Sequence, residues 1–312
     1  MKSYRWVVVV FLAISVMIAS MVGQSPAVDK ASAKPAPLAD RIASAAPDKP
    51  TAAPRKARKL VVFTFQPGYK HACTPAVSAA IALLGQRTGA WETTVTDDLA
   101  MMGPASLRQF DAVVLNNNCG PFFLPPGFAK LTAEQQKQAK AREAELRKGL
   151  EDFVRSGGGL VGLHSCLYAP DYATWPEGGE MIGGLVASHP WTKDIRVLLD
   201  DPGHPLCAAF GGKPFEIREE TYEVKGPYSR EKVHVLLRLD MTTVDPSKGS
   251  RKDGDYALAW VKSYGKGRVF YSALTHFEEN LAQRPLLRFY LDGIQFALGD
   301  LEASMTPSAG AK

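Results

Sequence analysis

The stretch Gly157-Gly-Gly-Leu-Val-Gly-Leu-His164 decides the fold class, because it places an entirely apolar strand directly after the clearest helix of the chain. That helix is predicted to begin with a capping box formed by Thr132 and Gln135. Its apolar stripe consists of Leu146, Leu150, Phe153 and Val154. A strand without alternation is buried on both faces, which is typical of a parallel sheet covered by helices. The stretch therefore predicts an α/β fold.

The residues before this stretch repeat the same pattern. Residues 60–65, 91–96 and 112–115 are short β-branched or apolar runs that predict strands. A helix is predicted to begin at Thr74, with Pro75 in its first turn, and to end at Gly85. The order β-α-β-α-β predicts a doubly wound, mostly parallel sheet.

The second half of the chain changes character. Five further strands are predicted with no long helix between them, at residues 195–199, 216–222, 233–239, 257–262 and 268–273. A closing helix is predicted at 285–298. No second linker separates the halves, so we expect one domain over residues 59–302 with a β-rich second half, followed by a flexible tail at 303–312.

The N-terminal residues predict export. Lys2 and Arg5 precede an uncharged apolar run, so residues 1–27 are expected to be a signal peptide or an uncleaved membrane anchor. Residues 28–58 are rich in Ala and Pro and are expected to form a solvated linker. The predicted location is extracytoplasmic, either periplasmic or secreted, with membrane contact only through an uncleaved N-terminal segment.

Charge and cysteine usage exclude several classes of protein. The formal charge of the chain is +5, but the first 58 residues alone carry +6, which leaves the predicted domain close to neutral at −1. A neutral domain lacks the basic face that nucleic acid binding needs. The four cysteines are widely spaced, which disfavours a zinc knuckle or a thioredoxin-like site.

Histidines follow three of the predicted strands. His71, His164 and His276 come after the first strand, the apolar strand and the last strand, and Asn116 follows the strand at 112–115. Ligands of open α/β sheets bind outside the carboxyl ends of the strands. We therefore expect these side chains to meet at one edge of the sheet.

The turn after the apolar strand has the form of a nucleophile elbow, in which the catalytic residue occupies the apex. Here the apex carries His164, with Ser165 and Cys166 after it. This order disfavours covalent acyl transfer, although a hydrolase that uses Ser165 or Cys166 stays a weaker alternative. We expect Cys166 to be a small buried side chain.

Six spaced blocks together resemble the ThuA-like (trehalose-utilisation) family of the class I glutamine-amidotransferase-like superfamily. They are Gly68-Tyr-Lys-His71, the stretch 157–164, Ile182-Gly-Gly184 with Ser188-His-Pro190, His204-Pro205, Glu219-Glu-Thr-Tyr222, and residues 259–276. The resemblance covers residue 59 to about residue 300 and implies a flavodoxin-like or amidotransferase-like sheet. It also implies a role in sugar metabolism, with disaccharides and their oxidised keto forms as ligands. His164 stands where the relatives have a cysteine, so glutaminase activity is not implied.

Two chemistries fit these side chains. Neutral imidazoles of His71, His164 and His276, with Glu220, can hold a divalent metal. Alternatively, no metal is bound and a His–Glu pair moves protons on a sugar, as in epimerisation, elimination or hydrolysis. Adjacent residues of a strand face opposite sides, so we expect Glu220 to face the site and Glu219 to face solvent.

Other side chains are candidates for binding a carbohydrate. The predicted substrate-binding residues are Asn116, Trp175, His189 and Tyr222, with Trp175 as the preferred stacking residue and Tyr69 as a further one. The leading hypothesis is an exported enzyme, a hydrolase, lyase or isomerase, acting on a disaccharide, a glycoside or its keto derivative. A non-catalytic carbohydrate-binding or scaffold domain is the alternative. Nothing in the sequence indicates an oligomeric state.

Overall fold

The computed structural model describes residues 36–167 and 175–308 of the chain. The predicted signal peptide or anchor, the start of the predicted linker and the last four residues lie outside the described residues. The helices are α1 (Leu38–Ala45), α2 (Thr74–Thr88), α3 (Pro104–Leu107), α4 (Ala133–Arg155), α5 (Pro176–Ile182) and α6 (Arg284–Ala297). In the part of the chain that is described, none of them is long and apolar enough to cross a membrane.

The described strands form one sheet. They are β1 (Lys59–Phe63), β2 (Glu92–Thr96), β3 (Ala112–Asn116), β4 (Gly159–Leu163), β5 (Leu185–Leu199), β6 (Phe215–Lys225), β7 (His234–Leu239), β8 (Ala257–Tyr264) and β9 (Gly267–Ser272). Their spatial order is β2-β1-β3-β4-β9-β8-β7-β5-β6. With β9 in fifth place, the first five strands have the 2-1-3-4-5 order of flavodoxin-like folds.

The sheet is mixed, and its two halves come from the two halves of the chain. Neighbours from β2 to β9 pair in parallel, whereas β9 to β6 pair antiparallel. The α/β fold class is therefore confirmed. The β-rich second half extends the first sheet instead of folding over it.

Two apolar layers cover the faces of the sheet. Successive residues of β1 point to opposite layers, with Leu60 and Val62 in one and Val61 and Phe63 in the other. Helices α2 and α6 pack in the first layer, and α4 and α5 in the second. Burial on both faces explains why the parallel strands carry continuous apolar runs.

The end of α2 differs from the prediction. The helix continues through Gly85 to Thr88 and ends at Gly89, which has φ 66°. Glycine is required at position 85 by close packing, because a Cβ atom there would lie 2.4 Å from Nε1 of Trp91. The capping box of Thr132 and Gln135 at the start of α4 is present as predicted.

The prediction of a solvated linker over residues 28–58 is corrected for its described part. Residues 38–45 form α1, and Ile42 is buried in the core. Further along, the N–H of Thr51 donates to Oε1 of Gln295 at 2.8 Å. Few large apolar side chains are needed here, because polar groups of α6 hold the segment in place.

The tail is ordered against the sheet as far as it is described, which corrects the prediction of a flexible tail from 303. The N–H of Ser308 donates to the carbonyl of Val233 at 3.0 Å. The ring of His234 contacts the carbonyl of Thr306, with Nδ1 2.5 Å from the oxygen. Backbone hydrogen bonds of this kind do not depend on side-chain type, so the small and polar residues of the tail do not predict its pairing with the sheet.

Candidate functional site

A cavity of about 460 Å³ opens at the carboxyl ends of the parallel strands. The loop after β1 supplies His71, and His164 and His276 follow β4 and β9. The order of the strands reverses between β1 and β3, which is where doubly wound sheets bind ligands. The residues lining the cavity are Tyr69, His71, Cys119, Ser165, His189, Glu220, Tyr222 and His276.

A two-stranded arm supplies the remaining wall of the cavity. Strand β5 pairs with β7 only at residues 197–199, whereas most of its length pairs with β6. The arm therefore extends beyond β7, with His189 on β5 and Glu220 and Tyr222 on β6. Register shifts on both sides of Ser188 interrupt the pairing of the arm beside His189. Such irregularities redirect side chains next to binding sites.

His164 occupies the sharp turn after β4 with φ 46°, a conformation that is uncommon for residues other than glycine. Its ring is fully buried and stacks on the ring of Tyr222, with centroids 4.5 Å apart. Nδ1 lies 3.0 Å from the carbonyl oxygen of Ala273, and since a carbonyl only accepts, Nδ1 carries the proton. Nε2 accepts from the hydroxyl of Tyr222 at 2.8 Å. The turn thus directs Nε2 toward the other site residues.

His71 is oriented by a serine. Oγ of Ser165 lies 2.8 Å from the carbonyl oxygen of Asn117 and 3.3 Å from Nδ1 of His71. Because the hydroxyl proton goes to Asn117, Nδ1 of His71 is the donor to Ser165, and Nε2 keeps its lone pair. Burial, together with His164 and His276, lowers the pKa of His71 to about 3, so this ring is neutral at neutral pH.

His276 is held by a buried acid. The N–H groups of His276 and Phe277 donate to Oε1 of Glu219 at 2.7 and 3.3 Å. Burial raises the pKa of the Glu219 carboxyl well above its ordinary value. Glu219 therefore does not face solvent as expected, because the arm packs it beneath the loop after β9. Burial and the neighbouring His164 lower the pKa of His276.

Glu220 lies among the imidazoles. Its Oε2 is 3.2 Å from Nε2 of His164 and 3.5 Å from Nδ1 of His276, and its Oε1 is 3.6 Å from Nδ1 of His189. Burial opposes ionisation, but the contact with His164 and the other neighbouring imidazoles outweigh it and lower the pKa of Glu220 to about 2. The carboxylate is therefore ionised at neutral pH.

The histidines that we expected to meet at one edge do lie together. His71, His164, Glu220 and His276 each present one donor atom, and these four atoms lie within 4.8 Å of one another. We call them the four-donor cluster. Imidazoles beside a carboxylate are able to move a proton or to hold a cation. Their catalytic roles stay a prediction.

The structure does not bring Asn116 and Trp175 to the cavity, which corrects their expected role as substrate-binding residues. Asn116 is fully buried and donates to the carbonyl of Thr74, so it fixes α2 to β3. Trp175 is 5% exposed and packs on Phe122 and Phe123, beside α4. His189 and Tyr222, by contrast, do line the cavity.

The alternative of a Ser or Cys hydrolase at the elbow is disfavoured by the geometry. Cys166 is fully buried, and burial raises the pKa of its thiol, so a thiolate is not available for attack. Ser165 is 1% exposed, and its hydroxyl is bonded to Asn117. Cys166 is the small buried side chain that we expected.

Sequence reasoning missed several residues that shape the site. Ser165 orients His71, Glu219 holds the loop of His276, and Cys119 lines the cavity. Cys119 directly follows Asn118 after β3, so its place at a strand end is the signal that could have found it. The contact between Glu219 and the loop after β9 joins segments distant in sequence, so no local sequence pattern predicts it.

The family model described as ThuA, trehalose utilisation, matches residues 59–297. A putative ThuA-like protein from Bacteroides uniformis is 20% identical with a TM-score of 0.58, covering 79% of this chain and 94% of its own. One from Parabacteroides merdae is 17% identical with a TM-score of 0.56, covering 81% and 96%. A cytoplasmic protein from Salmonella typhimurium is 14% identical with a TM-score of 0.50, covering 77% and 98%.

At these identities the solved structures establish the fold alone. No curated protein matches the chain. The family model spans β1 to the end of α6, so it contains every element that contributes to the four-donor cluster. The chain belongs to the ThuA (trehalose utilisation) family.

Proposed function

We propose that the protein is an enzyme that acts on a disaccharide, a glycoside or its keto derivative in the cavity at the strand ends. The observation that carries this proposal is the convergence of three imidazoles and an ionised carboxylate in a cavity of about 460 Å³. Membership of a trehalose-utilisation family supports a small carbohydrate as the ligand. The reaction class is hydrolysis, elimination or isomerisation, because each requires proton movement at a sugar carbon or oxygen.

The groups in the cavity are suited to sugar chemistry. Glu220 offers a carboxylate that accepts hydrogen bonds from hydroxyls, and Tyr222 offers a phenolic proton 2.8 Å from Nε2 of His164. The ring of Tyr69 is 65% exposed at the rim, which provides an apolar surface for the C–H face of a pyranose. These features together support a polar ring-shaped ligand.

The shape of the site supports a ligand of more than one ring. A second cavity of about 260 Å³ shares Tyr69, His71 and His276 with the first. Glu278 and Glu279 line the second cavity but not the first. A disaccharide or glycoside that occupies both cavities places the bond between its two parts beside the histidines.

We also propose that the protein acts outside the cytoplasm. The support comes from the sequence of residues 1–27 alone, with two basic residues before an apolar run. Fractionation of the producing cells tests this, with the mass of the mature chain as a second measurement. Recovery of the full-length chain in the cytoplasm contradicts it.

Turnover assays test the enzymatic proposal. Trehalose, other disaccharides, aryl glycosides and their keto derivatives are incubated with the full-length protein, and products are followed by NMR. His164→Asn is the diagnostic variant, because asparagine tolerates the left-handed backbone at this position better than alanine does. We expect turnover to fall at least about 100-fold while folding is retained.

His234→Gln is the matched control, since His234 lies outside the cavity and contacts the tail. Affinity for a sugar with no product from any candidate shows a binding domain and overturns the enzymatic proposal. Unchanged turnover in His164→Asn removes the role assigned to His164.

A further inference from the structure

Three donors of the four-donor cluster have the spacing of a metal coordination sphere, and all four lie within 4.8 Å of one another. Nε2 of His164 lies 3.1 Å from Nδ1 of His276 and 3.2 Å from Oε2 of Glu220, which is 3.5 Å from Nδ1 of His276. In a tetrahedral site with bonds of about 2.0–2.1 Å, neighbouring donor atoms are separated by about 3.3 Å. The three measured separations bracket this value.

Hydrogen bonds outside the cluster orient two of the imidazoles as metal-binding histidines are oriented. Nδ1 of His164 donates to the carbonyl of Ala273, and Nδ1 of His71 donates to Ser165. Both contacts leave Nε2 with a lone pair. Histidines that bind metals almost always donate their other N–H to a carbonyl, a carboxylate or another polar group, which fixes the tautomer.

The cluster contains more acceptors than nearby protons. Nε2 of His164 and both oxygens of Glu220 accept, whereas the hydroxyl of Tyr222 donates to Nε2 of His164 at 2.8 Å and that of Thr192 donates to Oε1 of Glu220 at 3.4 Å. The remaining proton near Oε2 of Glu220 is the one that Nδ1 of His276 can carry. A divalent cation bound by these groups neutralises the carboxylate and takes the place of the Tyr222 hydroxyl as the partner of Nε2 of His164.

From this arrangement we propose that His71, His164, Glu220 and His276 bind one divalent transition metal ion. Three nitrogen donors and one oxygen donor suit Zn²⁺ and its neighbours, since imidazole is a preferred ligand of these ions. Mg²⁺ and Ca²⁺ prefer shells made entirely of oxygen and do not fit this donor set.

The proposed metal faces the cavity, so it is positioned to act on a ligand. Catalytic metal sites keep a position for water or substrate, and a site with four protein ligands provides one only when the metal takes a fifth ligand. Here His71, Glu220 and His276 all line the cavity wall. The metal would orient neighbouring oxygens of a sugar, and this catalytic part of the inference rests on the proposed function. Metal binding itself does not.

Metal analysis tests the inference without any sugar. The full-length protein is stripped with a chelator, and Zn²⁺ binding is measured by titration calorimetry and by elemental analysis after dialysis. We expect one ion per chain. His276→Ala is expected to weaken binding at least about 100-fold, and Glu220→Gln, which preserves the shape of the side chain, at least about tenfold.

His234→Gln serves as the control, because its ring lies outside the cluster beside Asp201 and the tail. It is expected to keep full stoichiometry. Circular dichroism checks that each variant is folded, and Glu220→Gln keeps the test decisive if His276→Ala does not fold. Tetrahedral ligand-field bands after Co²⁺ substitution give a second readout.

Two results overturn the inference. The first is wild-type protein that binds no Zn²⁺ at saturating concentration. The second is binding that Glu220→Gln and His276→Ala leave unchanged, which places the ion elsewhere. Stoichiometric metal with no turnover of any sugar overturns the proposed function alone, whereas turnover by the stripped protein overturns the catalytic role of the metal.

Discussion

The carbonyl oxygen of Ala273, directly after β9, lies 3.0 Å from Nδ1 of His164, directly after β4. These strands are parallel neighbours, with Leu163 opposite Ser272 in the register. The two residues are 109 positions apart in the chain, so the sheet topology alone brings them together. A backbone carbonyl therefore sets which nitrogen of a site histidine is protonated.

Glu219 is the residue whose removal most directly tests how the site is held. Glu219→Ala leaves the N–H groups of His276 and Phe277 without their acceptor and creates a buried cavity. We expect a loss of about 2–4 kcal/mol in the free energy of unfolding, measured with urea. Glu219→Gln keeps an acceptor oxygen and should cost less than about 1.5 kcal/mol. Equal losses in the two variants contradict the holding role.

Tyr222→Phe removes the hydroxyl of this residue and keeps its ring, so it tests the two groups separately. The ring continues to stack on His164, so the stability of the fold should change by less than about 1.5 kcal/mol. The proton donated to Nε2 of His164 is lost, and we expect kcat to fall about 100-fold, with KM changed less. Steady-state kinetics on the sugar that turns over checks this. A variant that changes only KM shows that the hydroxyl serves binding.

Tyr69→Ala tests the stacking surface at the rim. The side chain is 65% exposed and its ring meets His71 edge-on, with centroids 4.8 Å apart. We expect sugar affinity to weaken about tenfold, which corresponds to about 1.4 kcal/mol, with the melting temperature unchanged. Tyr69→Phe keeps the apolar face and should bind nearly as well as wild type. Calorimetric titration decides, and unchanged affinity in Tyr69→Ala removes the stacking role.

The sequence was sufficient to predict the elements that carry the histidines. Continuous apolar runs and the capping box at Thr132 are local signals, and the structure has a strand or helix at each place. The edge where His71, His164 and His276 meet follows from the parallel arrangement and from the rule for ligand sites in such sheets. The strands predicted from local sequence and the sheet topology therefore place the three histidines at the same edge.

Other features depend on packing that no local pattern reports. Trp175 looks like a stacking residue in its polar loop, yet its ring is buried against Phe122 and Phe123. The inward position of Glu219 follows from the arm formed by β5 and β6, whose reach beyond β7 is set by register. Strand alternation alone therefore mispredicts it.

The segment before β1 is predicted to stabilise the fold without affecting the site. Nη2 of Arg58 lies 2.6 Å from Oδ1 of Asp300, whose side chain is fully buried. Arg58→Met leaves a buried carboxylate without this partner, and we expect a loss of about 3 kcal/mol in the free energy of unfolding. Because Arg58 precedes β1, whereas the cavity lies at the carboxyl ends, Zn²⁺ stoichiometry should be unchanged. Chemical denaturation measures the loss of stability, and metal analysis measures the Zn²⁺ stoichiometry. An Arg58→Met variant as stable as wild type contradicts the stabilising role.

Burial of Asp292 on α6 makes the free energy of unfolding depend on pH, with a definite sign. Its side chain accepts hydrogen bonds from Thr51 and Arg288, and burial raises the pKa of its carboxyl to about 6, above the ordinary 3.8. The folded state therefore binds this proton more tightly than the unfolded state does. The stability that the protonated carboxyl contributes is lost as the pH rises from about 4 through 6.

Asp292→Asn removes this titration while keeping an acceptor oxygen for Thr51. Relative to wild type, we expect the variant to be more stable at about pH 8 than at about pH 4, in urea unfolding at matched salt. Asp97→Asn, which removes a carboxyl at an exposed position, is the control. If the Asp292→Asn difference is independent of pH, the carboxyl is not held protonated by burial, and the packing of residues 49–58 against α6 then involves an ionised Asp292 paired with Arg288.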